Sequence, residues 1–254
     1  MNKLKMLSFV FVAVMGLSSI ASAETVRLAS DDFIGITFWV ISMGMLTATA
    51  FFFMERSSVA PAWKTSVTVA GLITGIAFIH YMYMRNVWVQ TGDSPVVYRY
   101  IDWLITMPLQ MAEFYLILSA VRKVSGGMFW RLLLGSLVMV VGGYMGEAGH
   151  INEMLGFFTF MAGWIYVLYE IFSGEAGKIA ARSGNKGLTS AFGALRMIVT
   201  IGWAIYPLGY VFGYLTGGVD TNSLNIIYNL GDFVNKIAFC LVIWAAAMSN
   251  TRQR

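Results

Sequence analysis

The sequence has little charge and almost no cysteine. Only 12% of its 254 residues are charged and 58% are hydrophobic, whereas a soluble globular domain carries about 25% charged residues. This balance excludes an ordinary soluble protein and indicates an integral membrane protein. The single cysteine, Cys240, lies in an apolar stretch, so the sequence offers neither a disulfide framework nor a cysteine-based metal site.

The net charge of +4 could suggest an anionic partner. In a membrane protein, however, Lys and Arg concentrate in cytoplasmic loops, so their distribution is interpreted first as topology. We therefore expect membrane lipid, and no nucleic acid, around this chain.

The first residues form a separate unit. Lys3 and Lys5 precede an apolar run over residues 6–20, and the small residues Ala-Ser-Ala end at Ala23. This pattern predicts a signal peptide over residues 1–23, cleaved after Ala23. The alternative, an uncleaved extra helix, is disfavoured because the apolar run is shorter than the ~20 residues that a span needs.

The remainder, residues 24–254, is predicted to be one all-α domain, a bundle of seven transmembrane helices. Seven apolar stretches recur with short polar breaks, and each is close to the length that crosses the hydrocarbon core. The predicted spans are residues 32–54, 63–84, 96–120, 128–148, 152–173, 189–216 and 223–249. The longest connection is residues 174–187, between the fifth and sixth spans.

Basic residues predict the orientation of the bundle. They cluster around the connections after the first, third and fifth spans and at the C-terminus: Arg56, Lys64, Arg122, Lys123, Arg131, Lys178, Arg182, Lys186, Arg196, Arg252 and Arg254. The opposite side has at most Arg27, Arg85 and Arg99. The positive-inside rule then places the N-terminus outside and the C-terminus in the cytoplasm.

Two predicted spans carry a polar stripe. In the third span the stripe has spacings of 3, 4, 4 and 3, which put its members on one helix face: Arg99, Asp102, Thr106, Gln110 and Glu113. In the seventh span the spacing is four throughout: Tyr228, Asp232 and Lys236. Because lipid offers no partner to ionisable groups, both stripes are expected to face the interior of the bundle.

The stripes allow two interpretations. Arg99 with Asp102, and Asp232 with Lys236, could form static ion pairs that fix helix register, or the charges could form a functional site, the default for intramembrane ionisable residues. Glu113 favours the second interpretation. It lies eleven residues beyond Asp102, roughly 16 Å along the helix, without a basic residue near it on its own face. Burial then favours its neutral form, which can donate a proton.

Aromatic residues occupy further inward positions of the predicted helices: Trp103, Trp164, Trp203 and Tyr206. Each alone is typical of core packing. Together with one buried lysine they indicate an elongated apolar pocket with a reactive amine at one end. A desolvated lysine forms Schiff bases readily with carbonyl compounds, so an aldehyde cofactor is the simplest occupant.

Three motifs, RYIDWLITMP (99–108), GWAIYPLGY (202–210) and NLGDFVNK (229–236), resemble the microbial rhodopsins, most closely the proteorhodopsins, over essentially the whole mature chain. The resemblance implies all-trans retinal bound as a protonated Schiff base at Lys236. It further implies a light-driven outward proton pump in the bacterial inner membrane, a transporter and not an enzyme. The alternative within the family is a blue-light sensor that signals through a partner.

The resemblance also implies roles for individual residues. Asp102 matches the proton acceptor and counterion, Asp232 the second counterion and Glu113 the cytoplasmic proton donor. Arg99 matches the arginine on the extracellular side of the two counterions. A carboxyl at both the acceptor and the donor position separates this sequence from the family's chloride and sodium pumps, and argues against a sensor.

His80 matches the histidine that hydrogen-bonds the acceptor carboxylate and raises its pKa in proteorhodopsins. The alternative is a histidine near the outer end of the second span that contacts only water or backbone. Proteorhodopsins also form rings, so the resemblance implies a homo-oligomer, a pentamer or hexamer, with Trp39 and His80 at its interface.

Gln110 matches the position that separates green-absorbing proteorhodopsins, which have Leu there, from blue-absorbing ones, which have Gln. The resemblance therefore implies a blue-absorbing protein. An amide dipole near the protonated end of the chromophore stabilises the ground-state charge and widens the energy gap. The alternative is a polar residue that only continues the stripe.

We predict that Gln110→Leu shifts the absorption maximum of the retinal-loaded protein to longer wavelength, because the amide dipole is removed. Absorption spectra of the purified wild type and variant measure the shift. An unchanged maximum would contradict the tuning role.

Overall fold

A computed structural model describes residues 28–252 of the chain. Within that range all regular secondary structure is helical, and seven helices are long and apolar enough to cross a membrane. The predicted all-α bundle of seven transmembrane helices is confirmed. The predicted signal peptide, residues 1–23, lies outside the described residues.

The seven spans follow one another along the chain with short connections. In order they are Phe33–Glu55, Lys64–Thr91, Val96–Ser119, Gly126–Glu147, Glu153–Phe172, Lys186–Leu215 and Thr221–Arg252. Their buried side chains form one large core, and a smaller cluster lies between the first and second spans.

Several predicted boundaries were wrong. The second span continues to Thr91, seven residues beyond the predicted end, and stops at Gly92, whose φ of 72° is readily available only to glycine. Arg85 therefore lies inside a helix, and His80 lies near the middle of that helix and not near its outer end. The seventh span also begins earlier than predicted and continues to Arg252.

The predicted long connection contains a short helix, Glu175–Ala181. Its N-terminus is capped by the buried carboxylate of Glu170, whose Oε1 accepts the backbone N–H of Glu175 at 3.0 Å and that of Ala176 at 3.3 Å. Arg131 of the fourth span donates to Glu170 at 3.1 and 3.2 Å and to Glu175 at 2.5 Å. A backbone cap and a forked arginine thus attach this helix to the bundle.

The sixth span is irregular, whereas the sequence predicted one continuous helix. α-Helical segments at Lys186–Met197 and Ile205–Tyr210 are interrupted by π-helical turns at Ile198–Gly202 and Val211–Leu215. Pro207, which has no N–H to donate to the carbonyl four residues before it, lies just after the first interruption.

The fourth and fifth spans pack backbone to backbone through small residues, a common arrangement in membranes. A Cβ placed on Gly156 would lie 2.6 Å from the Cα of Gly146. A Cβ on Gly163 would lie 2.5 Å from the amide nitrogen of Met139 and 2.7 Å from the carbonyl oxygen of Gly135. These glycines allow the two helices to approach more closely than larger residues would.

We predict that Gly163→Ala destabilises the protein by about 1–3 kcal/mol, because the new methyl group would meet backbone atoms that cannot rotate away. Gly193→Ala is the control: a Cβ there has no neighbour within 4 Å, so replacing a helical glycine should be neutral or stabilising. Unfolding in a denaturing detergent titration measures both. Equal stability of the two variants would contradict this account of the contact.

Candidate functional site

Lys236 lies at the centre of the bundle and is 1% exposed. Its Nζ donates to Asp102 Oδ2 of the third span and, at 3.1 Å, to Asp232 Oδ2 one turn earlier in its own helix. The two polar stripes therefore face each other, as predicted. Of the two ion pairs that the static interpretation named, Asp232 with Lys236 is formed, whereas the ion pairs of the described residues do not include Arg99 with Asp102, because Asp102 pairs with Lys236 instead.

Asp232 is held by three donors from three different spans. Its oxygens accept from the hydroxyl of Tyr81 at 2.8 Å, the indole N–H of Trp103 at 3.0 Å and the hydroxyl of Tyr206 at 2.7 Å. Together with Lys236, these contacts fix the orientation of the carboxylate and stabilise its negative charge. The sequence analysis missed Tyr81, which is an uncharged aromatic residue in an apolar helix and carries no distinguishing signal.

Asp102 has a different environment. Its Oδ2 contacts Lys236, but its Oδ1 is buried and has no donor within residues 28–252. His80 is adjacent, with Nδ1 3.9 Å from that oxygen, beyond hydrogen-bonding distance. Because Nδ1 lies 3.0 Å from the carbonyl of Ile76, which can only accept, it carries the proton and donates to the backbone. The predicted hydrogen bond between His80 and Asp102 is therefore not formed.

The contrast between the two carboxylates has a chemical consequence. Both oxygens of Asp232 accept hydrogen bonds. Asp102 contacts the lysine through Oδ2, but its Oδ1 accepts no hydrogen bond from residues 28–252. A carboxylate with an unused lone pair beside a protonated amine is the better proton acceptor, since protonation costs it no existing hydrogen bond.

Arg99 is 2% exposed and bonds two neutral side chains. Its guanidinium donates to Asn229 Oδ1 at 3.0 Å and to Asn225 Oδ1 at 2.8 Å, and Asn229 in turn donates to Thr37 of the first span at 3.0 Å. These asparagines were missed, although a signal was available. Asn225 and Asn229 extend the stripe of the seventh span toward its N-terminus with the same spacing of four.

Glu113 is completely buried, and neither of its carboxyl oxygens has a hydrogen-bond partner in the described part of the chain. It lies on the same inward face as Asp102, where Thr106 and Gln110 fill the positions between them, all of them buried. The sequence predicted a carboxyl without a basic residue near it, and within residues 28–252 Glu113 forms no ion pair. Ser66 of the second span is a close polar neighbour.

The aromatic residues predicted to line a pocket are all buried, and two of them, Trp103 and Tyr206, reach Asp232, the carboxylate beside the lysine. Trp103, Trp203 and Tyr206 are 2–3% exposed and Trp164 is 9% exposed. The rings of Trp103 and Tyr206 pack edge to face at 4.9 Å, while Trp164 donates its indole N–H to Val199 O at 3.0 Å.

These residues fit an apolar aldehyde. Trp103 and Tyr206 bond Asp232, the carboxylate beside the buried amine, and two buried polar atoms of the third-span stripe lack partners among residues 28–252: Asp102 Oδ1 and the amide nitrogen of Gln110. Such an arrangement supplies a nucleophile for a carbonyl, an apolar surface for a hydrocarbon chain and polar groups that can interact with charge on the adduct.

Comparison with known proteins agrees with this arrangement. The profile of the bacteriorhodopsin-like protein family matches residues 32–250, and seven helices around a buried lysine are present. The chain therefore belongs to the bacteriorhodopsin-like family, as a multi-pass membrane protein.

Within this family the chain is similar to proteorhodopsins. It is 54% identical to the blue-light absorbing proteorhodopsin of Gamma-proteobacterium Hot 75m4 over 223 residues, which cover 87% of this chain and 88% of that protein. It is 52% identical to the green-light absorbing proteorhodopsin of Gamma-proteobacterium EBAC31A08, with coverages of 88% and 90%. The crystal structure of blue light-absorbing proteorhodopsin from Med12 matches with a TM-score of 0.76 and 50% identity, covering 86% of this chain and 99% of that one. The predicted resemblance is confirmed.

We predict that Tyr81→Phe destabilises the retinal-free protein by about 1.5–3 kcal/mol, because it removes a hydrogen bond to a charged, buried acceptor. Tyr83→Phe is the matched control, since Tyr83 is 46% exposed and should change stability by less than about 0.5 kcal/mol. Unfolding curves of the purified proteins provide the comparison. A Tyr81 variant as stable as the Tyr83 variant would show that Asp232 does not depend on this donor.

Proposed function

We propose that this protein is a light-driven pump that moves protons from the cytoplasm to the outside of a bacterial inner membrane. The observation that carries the proposal is the position of the Lys236 amine. It lies between two carboxylates, Asp232, whose oxygens both accept hydrogen bonds, and Asp102, whose Oδ1 accepts none from the described residues. A third buried carboxyl, Glu113, lies further along the helix of Asp102 and has no hydrogen-bond partner in the described part of the chain. The similarity to proteorhodopsins supports the same conclusion.

The cofactor we propose is all-trans retinal, attached to Lys236 Nζ as a protonated Schiff base. When bound, it supplies light absorption and an isomerisation that redirects the proton on that nitrogen. In this proposal the buried residues Trp103, Trp203 and Tyr206 supply the apolar surface that holds the cofactor, and the buried amide of Gln110 tunes its absorption. Excluding water from this region strengthens the attraction between Nζ and the two carboxylates.

The first proton transfer in this proposal goes from Nζ to Asp102. Asp102 is the acceptor because it contacts the nitrogen and has a free oxygen. Asp232 remains charged throughout, held by Tyr81, Trp103 and Tyr206. A permanent negative charge beside the nitrogen keeps Nζ protonated before illumination and favours its reprotonation afterwards.

The second transfer returns a proton from Glu113 to Nζ. Burial without a positive partner keeps Glu113 protonated until the nitrogen has lost its proton. Arg99 lies three residues before Asp102 and Glu113 eleven residues after it, so the two groups lie at opposite ends of the stripe. A proton that enters at Glu113 and leaves past Arg99 crosses the bundle in one direction.

The direction relative to the cell follows from the distribution of basic residues. Eleven Lys and Arg residues lie near the connections on the Glu113 side and the C-terminus, which makes that side cytoplasmic by the positive-inside rule. Net transport is then outward. The buried proton donor at Glu113 favours transport over a sensory role.

A homo-oligomeric ring, pentameric or hexameric, remains a prediction from the resemblance. Trp39 is 39% exposed, with the guanidinium of Arg85 4.8 Å above its ring. His80 is partly exposed beside Asp102.

Reconstitution tests the function directly. We predict that adding all-trans retinal to the purified protein produces a visible absorption band that Lys236→Ala abolishes.

Illuminated cells that contain the wild type should acidify their medium, and Asp102→Asn cells should not, because the acceptor is lost. Glu113→Gln should instead retain colour and the first transfer but return the proton to Nζ about a hundredfold more slowly or more, in line with the contribution of a positioned acid.

Each variant has an outcome that contradicts its assignment. Continued acidification by Asp102→Asn cells would remove Asp102 as acceptor, and an unchanged return rate in Glu113→Gln would remove Glu113 as donor. A protein that stays colourless with retinal would refute the pump altogether.

A further inference from the structure

The first interruption of the sixth span changes the pairing of its backbone. The amide of Trp203 donates to Ile198 O, five residues earlier, at 3.0 Å, and the amide of Tyr206 donates to Trp203 O, three residues earlier, at 3.1 Å. In a regular α-helix these two amides would donate to Val199 O and Gly202 O. Both carbonyls have thus lost their usual donors, and a buried carbonyl needs a substitute.

Side chains from the two neighbouring spans supply the substitutes. Trp164 of the fifth span donates its indole N–H to Val199 O at 3.0 Å. Asn235 of the seventh span donates its amide N–H to Gly202 O at 2.9 Å. The interruption is therefore held from both sides by hydrogen bonds that a regular helix would not accept.

Asn235 also belongs to the surroundings of the lysine. It directly precedes Lys236 in the chain and is 4% exposed. Its amide nitrogen lies 3.5 Å from the hydroxyl of Tyr206, which donates to Asp232. One side chain thus contacts the irregular backbone of the sixth span and an aromatic group that holds the counterion.

Gly202 is fitted to this contact. A Cβ built on Gly202 would collide with the amide oxygen of Asn235 and lie 3.0 Å from its Cγ. Any larger residue at 202 would displace the asparagine side chain and break the hydrogen bond. The space left by the missing side chain of Gly202 is therefore occupied by the amide group of Asn235.

We propose that Asn235 is a positioning residue that couples Lys236 to the interruption of the sixth span. A displacement of the Lys236 backbone moves Asn235, its neighbour, and Asn235 transmits the movement to Gly202. π-Helical turns are frequent at functional sites and allow a helix to bend, so the sixth span would respond at this point.

The consequence for proton transport rests on the proposed function. The hydrogen bonds of the Asn235 side chain go to Gly202 O and the Tyr206 hydroxyl and not to Asp102, so the transfer from Nζ to Asp102 does not require them. The return of a proton from Glu113 requires Nζ to turn toward the other side of the bundle, and this step would depend on the coupled movement of the sixth span.

Two variants break the contact from opposite sides, Asn235→Leu and Gly202→Ala. Asn250→Leu is the matched control. Asn250 is a buried asparagine of the same span that accepts from Asn185, at the start of the sixth span, at 2.7 Å, far along the chain from the interruption.

The first measurement is amide hydrogen exchange of residues 198–206 in the retinal-free protein. Exchange should be faster in Asn235→Leu and Gly202→Ala and unchanged in Asn250→Leu. Unchanged exchange in both test variants, or an equal increase in the control, would overturn the proposal.

The second measurement is flash absorption of the retinal-loaded proteins. The return of the proton to Nζ should slow by about fivefold or more in both test variants, the lower end of typical coupling effects, while transfer to Asp102 stays within about twofold. A return rate equal to that of the control would overturn the coupling. If the wild type itself neither colours nor transports, the proposed function fails, and the exchange experiment still decides whether Asn235 holds the interruption.

Discussion

A charged amine that leaves water costs several kcal/mol unless partners compensate it, and Lys236 is almost completely buried. This constraint organises the centre of the protein. Two carboxylates approach the amine, and one of them requires three further donors from the second, third and sixth spans. Four of the seven helices are thereby tied to one point, and their register is set by the requirement to bring these groups together.

The two carboxylates beside Lys236 differ in the number of hydrogen bonds that they accept. A symmetric pair of carboxylates would share the charge of the amine and give no preference for the destination of its proton. Here Asp232 accepts from three side chains besides Lys236, whereas Asp102 Oδ1 has no donor among residues 28–252. The proposed division between a permanent charge and a proton acceptor rests on this difference, and the proposed donor, Glu113, lies further along the same helix as Asp102.

Much of this could be predicted from the sequence because the spacing of polar residues in a membrane helix has few explanations. The inward faces of the third and seventh spans, the isolation of Glu113 and the pairing of Asp232 with Lys236 all follow from spacings of three and four. Contacts made by uncharged residues could not be predicted in this way. Tyr81 and Asn235 acquire their roles only from the proximity of other helices, and the geometry of His80 depends on which acceptor its ring nitrogen reaches.

The irregular sixth span shows a second limit of prediction. Pro207 signals a disturbance, but a proline does not specify which carbonyls lose their donors or which side chains replace them. The structure resolves this through Trp164 and Asn235. Hydropathy records only that the segment is apolar enough to cross the membrane.

The glycine contacts between the fourth and fifth spans divide the molecule mechanically. The fourth and fifth spans approach backbone to backbone at Gly146, Gly156 and Gly163, so a tilt of either helix would bring main-chain atoms together, and this pair is the stiffer part of the bundle. The sixth span, whose backbone ladder is interrupted twice, is the compliant element beside it. If Lys236 and its carboxylates act as proposed, a movement at the centre would be taken up by this helix more readily than by the glycine-packed pair.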